Sequence, residues 1–454
     1  MKKIERRARL CLVLAGGLLA GVVLFVLLWA LNGSSWAAAP FNRHLYNSQG
    51  ILRSGTVLDR DGEMLSTVDE AGERIYGGDA ARREANLHVV GDLYGNISTG
   101  ALRAFASRLT GFSLLLGAFG AERGNDLWLT VDADLNETAY RALGGKKGTA
   151  AVYNYKTGEI LCLVSAPSYD PMNVPSGLEE DERYEGAYIN RFFSALFTPG
   201  SVFKTVTLAA ALEEIPDLES RTWSCGGELS LEGGTVTCAS AHGEQDIGAA
   251  LANSCNVVFG QLAVELGGET MERWTRRTGL TGSYSVDGID TAEGSFSFQG
   301  ISDADLAWAG IGQYHDSVNP CALMVYMGAI ANGGRAAVPR LILEEEGAAL
   351  PELPRLTGQT GELIPGDTAE KIADMMVNNV QTVYGSGRFP DVEMGAKSGT
   401  AEVGETEKPH AWFAGFLRDE ETPYAFVVLV ENGGSGADTA GGAAARILKA
   451  ALAR

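Results

Sequence analysis

The chain has 454 residues, 45% of them hydrophobic and 20% charged, with 57 acidic side chains against 36 basic ones and a net charge of −21. That composition is globular, long enough for two or three domains with a sizeable core, and excludes a disordered chain. The acidity, without any basic patch or Arg-rich stripe, excludes a nucleic-acid partner and reads as a solvated surface.

The N-terminus reverses the overall charge. Lys2, Lys3, Arg6, Arg7 and Arg9 stand against Glu5, and Leu10 to Leu31 then gives 22 uncharged residues, enough to cross a bilayer as a helix. The basic flank predicts a cell-membrane, single-pass protein, with a cytoplasmic tail over 1–9, a transmembrane helix over 10–31 and an extracytoplasmic body beyond Asn32. A cleaved signal peptide, with Ala37-Ala38-Ala39 as its small residues, is the rival. The apolar run exceeds a signal core, which favours an uncleaved anchor.

A polar stretch through Asn47, Ser48 and Gly50 leads into Arg53–Gly62, where Thr56 to Leu58 reads as a strand and Asp61-Gly62 as a turn. The region 40–145 mixes short strands with helical runs, Thr99 to Leu109 and Leu135 to Leu143, and shows no repeat and no catalytic constellation. It reads as a pedestal or interaction module of small mixed α/β type. Composition changes at Lys146-Lys147. Thr149 to Tyr155 and Glu159 to Val164 form a hairpin around Lys156-Thr157-Gly158, and helices follow at Ser201, over Ser254 to Leu266, over Pro320 to Ala331 and over Ile372 to Val380. Met394 to Val403, Trp412 to Leu417 and Ala425 to Glu431 read as strands. A last helix spans Thr439 to Leu452, with Asp438 placed to cap it. A hairpin, then helices, then three strands predict an α+β fold: one antiparallel sheet covered by helices, over 148–454.

Six cysteines are present: Cys11, Cys162, Cys225, Cys238, Cys255 and Cys321. Cys225 and Cys238 flank a Gly-rich stretch that in an exported protein could carry a disulfide, with two free thiols an equal alternative. No CxxC pair or His/Cys ligand set is apparent, so neither a metal nor any other cofactor is expected.

Pro199-Gly200-Ser201-Val202-Phe203-Lys204 places a serine at a helix N-terminus, where a hydroxyl can cap, and a lysine one turn on, a nucleophile beside a candidate base. In isolation such a pair is a capping serine and a solvated lysine. It is the single Ser-x-x-Lys of the chain, whereas Ser-x-Asn occurs at both Ser254-Cys255-Asn256 and Ser317-Val318-Asn319. Lys-[Ser/Thr]-Gly occurs at both Lys397-Ser398-Gly399 and Lys156-Thr157-Gly158. His410, beside a strand, reads as structural and His242 as a surface residue. No Gly-x-Ser-x-Gly surrounds a serine, so a Ser-His-Asp triad is not expected.

One motif of each kind is the signature of penicillin-binding proteins and class A β-lactamases. In this order the chain resembles the transpeptidase domain of the class B penicillin-binding proteins, of the short, penicillin-binding protein A-like form. Ser254 follows Ser201 by 53 residues and Lys397 follows Ser254 by 143, which selects those copies and leaves the other two as a helix cap and a hairpin turn. Asn190-Arg191, Lys397-Ser-Gly-Thr-Ala-Glu402, His410–Phe416 and Arg53–Gly62 are similar to the family's flanking segments, so the resemblance covers nearly the whole chain.

The resemblance implies a serine D,D-transpeptidase that cross-links peptidoglycan stem peptides through an acyl-enzyme at Ser201, with β-lactams as covalent inhibitors and membrane proteins of division or elongation as partners. Lys204 must be neutral to act as base, and burial with Lys397 nearby would depress its pKa. Ser254 would relay the proton and Asn256 hold Lys204 or a substrate amide. Lys397 would offer charge to the substrate carboxylate, Ser398 and Thr400 would hydrogen-bond it, and Gly399 would let substrate lie against the strand. Backbone N–H groups of Ser201 and Thr400 would form the oxyanion hole, such donors being worth about 3 kcal/mol each. A D,D-carboxypeptidase or β-lactamase on the same scaffold, a β-lactam sensor and a non-enzymatic division scaffold remain as alternatives.

Overall fold

The computed structural model describes residues 2–37, 54–113, 117–118, 124–346, 358–404 and 406–454. The polar stretch expected over 40–53 lies outside them. Lys2–Ala37 is one helix of 36 residues. Within it Lys3–Ala30 is long and apolar enough to cross a membrane, and Leu12, Leu14, Leu18 and Phe25 stand exposed along it. The chain is membrane-anchored.

The first folded unit is a five-stranded sheet in the order Ile342–Glu346, Asp126–Leu129, Val57–Leu58, Met64–Val68, Arg74–Tyr76. Val57–Leu58 turns back into Met64–Val68 because the Asp59 carboxylate accepts the backbone N–H groups of Asp61 (3.0 Å) and Glu63 (2.8 Å), an Asx turn completed by Gly62 at φ 86°. The outermost strand, Ile342–Glu346, comes from far along the chain and pairs antiparallel with Asp126–Leu129. Glu159 anchors this junction, receiving Arg340 at 2.7 Å and Arg60 at 3.4 Å.

The second unit is built on the expected antiparallel sheet, in the order Met394–Ala401, His410–Leu417, Tyr424–Val430, Gly148–Asn154, Ile160–Ala166. Its inner strands are buried on both sides, and alternate residues serve different cores. Ala151, Tyr153, Trp412, Ala414, Val427 and Leu429 face a helical core, while Ala150, Val152, Phe413, Phe426 and Val428 face the helices Ala133–Leu143 and Gly441–Ala451. Ala133–Leu143 begins at Asp132, which accepts from Leu135 N, and ends at Gly144 in the left-handed conformation. The last helix departs from expectation. Ser435, not Asp438, accepts the capping N–H, and the chain makes a π turn over Gly436–Ala440 before the α-helix begins.

Pro320–Ala331 runs through the helical core with every residue from Pro320 to Ile330 buried. An apolar helix without a polar face has to be enclosed. Asn319 sets its start: its Oδ1 accepts from Cys321 N (3.0 Å) and Ala322 N (3.3 Å), and its Nδ2 donates to the carbonyls of Phe193 and Ala195, both at 3.0 Å. Ser317-Val318-Asn319 is therefore a cap, and Lys156-Thr157-Gly158 is the turn of the first hairpin.

Asn319→Ala removes the cap and one donor each to Phe193 O, which keeps Ala292 N at 2.8 Å, and to the partly buried Ala195 O, at an expected cost of about 1–2 kcal/mol. Asn319→Asp keeps the cap oxygens and should recover part of that loss. Urea unfolding of the detergent-purified protein measures both, and a wild-type midpoint for Asn319→Ala would contradict the assignment.

Candidate active site

Three segments meet at the open edge of the central sheet. The first is Gly200–Phe203, a 3₁₀ turn that passes directly into the helix Lys204–Glu214. Ser201 therefore sits in the turn before the helix, and its hydroxyl does not cap. Gly200 has φ 58°, and a Cβ there would lie 2.8 Å from the carbonyl oxygen of Thr400. Only glycine lets the turn approach the edge strand Met394–Ala401 this closely. Trp412 Nε1 donates to Thr198 O at 2.9 Å and fixes the chain just before it.

Lys204 is fully buried and its Nζ touches four oxygens: Ser201 Oγ at 3.0 Å, Ser254 Oγ at 3.1 Å, Ser254 O at 2.5 Å and Asn256 Oδ1 at 2.7 Å. Asn256 Nδ2 donates to Thr237 O at 2.7 Å, which fixes its oxygen toward the lysine. The Ser254 carbonyl and the Asn256 amide oxygen can only accept. A neutral amine has two hydrogens, and those acceptors use both, which leaves the nitrogen lone pair for a serine O–H. Ser254 reaches this position at φ 53°, a strained backbone for a residue with a side chain. The strain turns both its carbonyl and its hydroxyl onto one nitrogen.

Lys397 is also fully buried, donating to Ser254 Oγ at 3.0 Å and to Ser398 O at 3.0 Å. Among the described residues neither lysine has an acidic partner. Burial lowers Lys204 to about 7. Burial, and then repulsion from Lys204, drives Lys397 well below its ordinary value. Two ammonium groups on one hydroxyl titrate as a coupled pair, and the second proton is the costly one.

The edge strand differs in two details from the sequence reading. Lys397 turns inward onto Ser254, so its ammonium is not presented at the surface; Ser398 is half-buried and Thr400 exposed. A Cβ on Gly399 would meet Pro199 O at 2.8 Å and Trp412 Cβ and Val202 Cγ1 at 3.1 Å. The glycine admits the Ser201 turn, not a ligand. Tyr384, which no motif marks, accepts Ser398 N at 2.9 Å and contacts Ser398 Oγ at 3.0 Å through its buried hydroxyl.

His410 is half-buried, accepts Asn432 N at 3.1 Å and packs edge-on to Phe197. It lies outside the cluster, as a structural residue. His242 is not a simple surface residue: its Nδ1 lies 3.5 Å from Cys225 Sγ. Cys225 and Cys238 are free thiols 3.9 Å apart, so the disulfide alternative does not hold here. Cys255 joins them, so a His/Cys ligand set does exist, contrary to the sequence reading. Its signal is the spacing Cys-x12-Cys-x3-His-x12-Cys, which matches no short motif because its members lie on separate segments.

Residues 148–453 match the family described as the penicillin binding protein transpeptidase domain. The chain is 29% identical over 349 residues to peptidoglycan D,D-transpeptidase PbpA of Mycobacterium tuberculosis (strain ATCC 25618 / H37Rv), covering 71% of this chain and 70% of that relative. To peptidoglycan D,D-transpeptidase MrdA of Escherichia coli (strain K12) it is 26% identical over 361 residues, 69% of this chain and 56% of the relative. Among solved structures, the penicillin G acyl-enzyme complex of penicillin-binding protein A from M. tuberculosis aligns with a TM-score of 0.76 at 25% identity, covering 88% of this chain and 99% of that one. The D,D-transpeptidase domain from Eggerthella lenta gives the same TM-score at 27% identity, with 88% and 98% covered. The chain belongs to the penicillin-binding protein transpeptidase family, in its class B branch.

Proposed function

We propose that this protein is a peptidoglycan D,D-transpeptidase whose nucleophile is Ser201. The observation that carries the reading is Lys204 Nζ, buried and within 3.1 Å of both Ser201 Oγ and Ser254 Oγ, with its other acceptors fixed. The D-Ala-D-Ala end of a stem peptide would lie along the open edge of Met394–Ala401, as an added strand does. Ser201 Oγ attacks the penultimate carbonyl while its proton passes to the Lys204 lone pair. The tetrahedral oxyanion rests on backbone N–H groups of Ser201 and Thr400. The C–N bond breaks as a proton travels through Ser254 Oγ to the leaving D-alanine, giving the acyl-enzyme. An acceptor amine from a second stem then attacks the ester carbonyl; the new amide forms as the bond to Ser201 Oγ breaks, and the amine proton returns along the same route to that oxygen. A β-lactam acylates the same serine by ring opening, with its leaving nitrogen still tethered.

Lys397 supports the relay by holding Ser254 Oγ at 3.0 Å. The terminal carboxylate of the substrate falls to Ser398 and Thr400, with Tyr384 steadying Ser398. The basic N-terminal flank supports a cytoplasmic tail over 1–9 and a body on the outer side. The unit over 40–145, whose sheet takes its outermost strand from Ile342–Glu346, would stand between membrane and catalytic body as a pedestal and a surface for division or elongation proteins.

Four outcomes follow for the detergent-purified full chain. A fluorescent penicillin should label it covalently and Ser201→Ala should abolish the label; a persisting adduct would exclude Ser201, and rapid release of the label would make the protein a β-lactamase. Lys204→Ala should slow labelling by about 10²–10⁴-fold, the usual span for loss of a general base. The labelling rate of the wild type should rise with pH through about 7, because only neutral Lys204 accepts the serine proton. Lys397→Ala should slow labelling with the fold intact and leave that midpoint at about 7, because burial sets it. A midpoint that moves upward by a pH unit or more would mean that a protonated Lys397 helps to set it.

A further inference from the structure

Cys225, Cys238, His242 and Cys255 lie on four different segments and converge beside the Lys204 cluster. Cys225 ends the strand Trp223–Cys225, Cys238 follows Gly234–Thr237, His242 precedes Gly243–Gln245, and Cys255 is the middle residue of Ser254-Cys255-Asn256. One ligand atom from each lies within 4.8 Å of the others. Cys225 Sγ to Cys238 Sγ is 3.9 Å, Cys238 Sγ to Cys255 Sγ is 3.8 Å, and Cys225 Sγ to His242 Nδ1 is 3.5 Å. A tetrahedral zinc with Zn–S of about 2.3 Å and Zn–N of about 2.0 Å has S···S edges of roughly 3.8 Å and S···N edges of roughly 3.5 Å. Three of the six edges are already close to those lengths, and all four ligand atoms lie within 4.8 Å of one another.

We propose that these four residues form a closed, structural zinc site that fixes the Ser254–Asn256 segment.

Three observations favour a metal over a disulfide. Three thiols are present, and any disulfide would strand the third. Cys238 Sγ accepts the backbone N–H groups of Asn256 (3.1 Å) and Val257 (3.4 Å), at the start of the helix Asn256–Arg277, the environment that stabilises a ligating thiolate. Cys238 and His242 are only partly buried, so an ion has an entry path. Binding releases the three thiol protons as the thiolates and neutral His242 take the four positions. With no position left open, the ion holds structure and does not touch substrate.

Its place defines its role. Cys255 stands between the residue that supplies two Lys204 contacts and the residue that supplies a third, and Cys238 is bonded to the Asn256 N–H. The metal would tie both ends of that segment to the loop around 225–242.

The test is metal analysis of the full chain, purified in detergent from zinc-supplemented medium without chelator. Wild type should carry about one zinc per chain, and cobalt loading should give the intense visible bands of a tetrahedral thiolate site. His242→Ala should lower zinc at least tenfold and remove those bands, His242→Cys should restore both, and Cys321→Ser, outside the cluster, should leave both unchanged. Wild type without zinc, or a peptide cross-link joining Cys238 to Cys225 or Cys255, would overturn the proposal. Metal content is read without penicillin, so failure here is separate from failure of the acylation reading. Stripping zinc from the wild type should also slow penicillin labelling about tenfold or more, and an unchanged rate would overturn the positioning role.

Discussion

Two lysines share the hydroxyl of Ser254 inside the protein, and no carboxylate among the described residues answers either of them. A buried ammonium without an anion is expensive, and two side by side are more so. The site lowers the cost by removing charge and not by adding a counterion. Lys204 is brought near neutrality, and in that state its two hydrogens match two pure acceptors, Ser254 O and Asn256 Oδ1. What is left over is one lone pair facing serine hydroxyls. The basicity of the site is thus a by-product of how its desolvation is relieved. An aspartate within reach would stabilise the fold and hold Lys204 protonated, useless as a base.

That solution needs rigid surroundings, because a neutral lysine gains its acceptors only while they stay in place. The fold supplies this on every side. Gly200 and Gly399 let the Ser201 turn and the Lys397 strand approach to backbone contact, and Trp412 closes the gap from the next strand. Thr207 ties the helix that carries Lys204 to Gly310 O at 2.5 Å, and the enclosed helix Pro320–Ala331 fills the core beneath the sheet. Within the Lys204 cluster the strained residue is Ser254, whose left-handed backbone is what presents two oxygens to one nitrogen.

The features legible in the sequence were those with local causes. The sheet strands announce themselves as apolar runs, because burial on both faces removes the polar alternation, and the helix over 320–331 is bracketed by Asn319 and Asn332-Gly333. The site residues were legible through their order along the chain, which separated Ser254 and Lys397 from their decoys. What escaped depends on contacts between distant segments. Nothing local says that Ile342–Glu346 crosses to the first sheet, that Lys397 turns inward, or that the space beside Gly399 belongs to Pro199 and Trp412. Tyr384 carries no motif, since its role rests on a single hydroxyl meeting Ser398. The capping role given to Asp438 failed because Ser435 competes for the same turn and the first turn widens to a π form.

Cys255 joins these arguments. The middle position of Ser-x-Asn has no chemical task of its own in the Lys204 cluster, and its Sγ lies 3.8 Å from Cys238 Sγ. Yet it is the covalent link between a strained serine and a helix-starting asparagine, and a strained residue relaxes unless its neighbours prevent it. Hydrogen bonds from Asn256 and Val257 to Cys238 Sγ restrain one side, but a neutral thiol is a weak acceptor. A thiolate bound to a cation is a stronger one, and four ligands from four segments would hold the link in three dimensions. The constraint that keeps Lys204 neutral and fully bonded then extends one layer outward, from the acceptors to the residues that hold them.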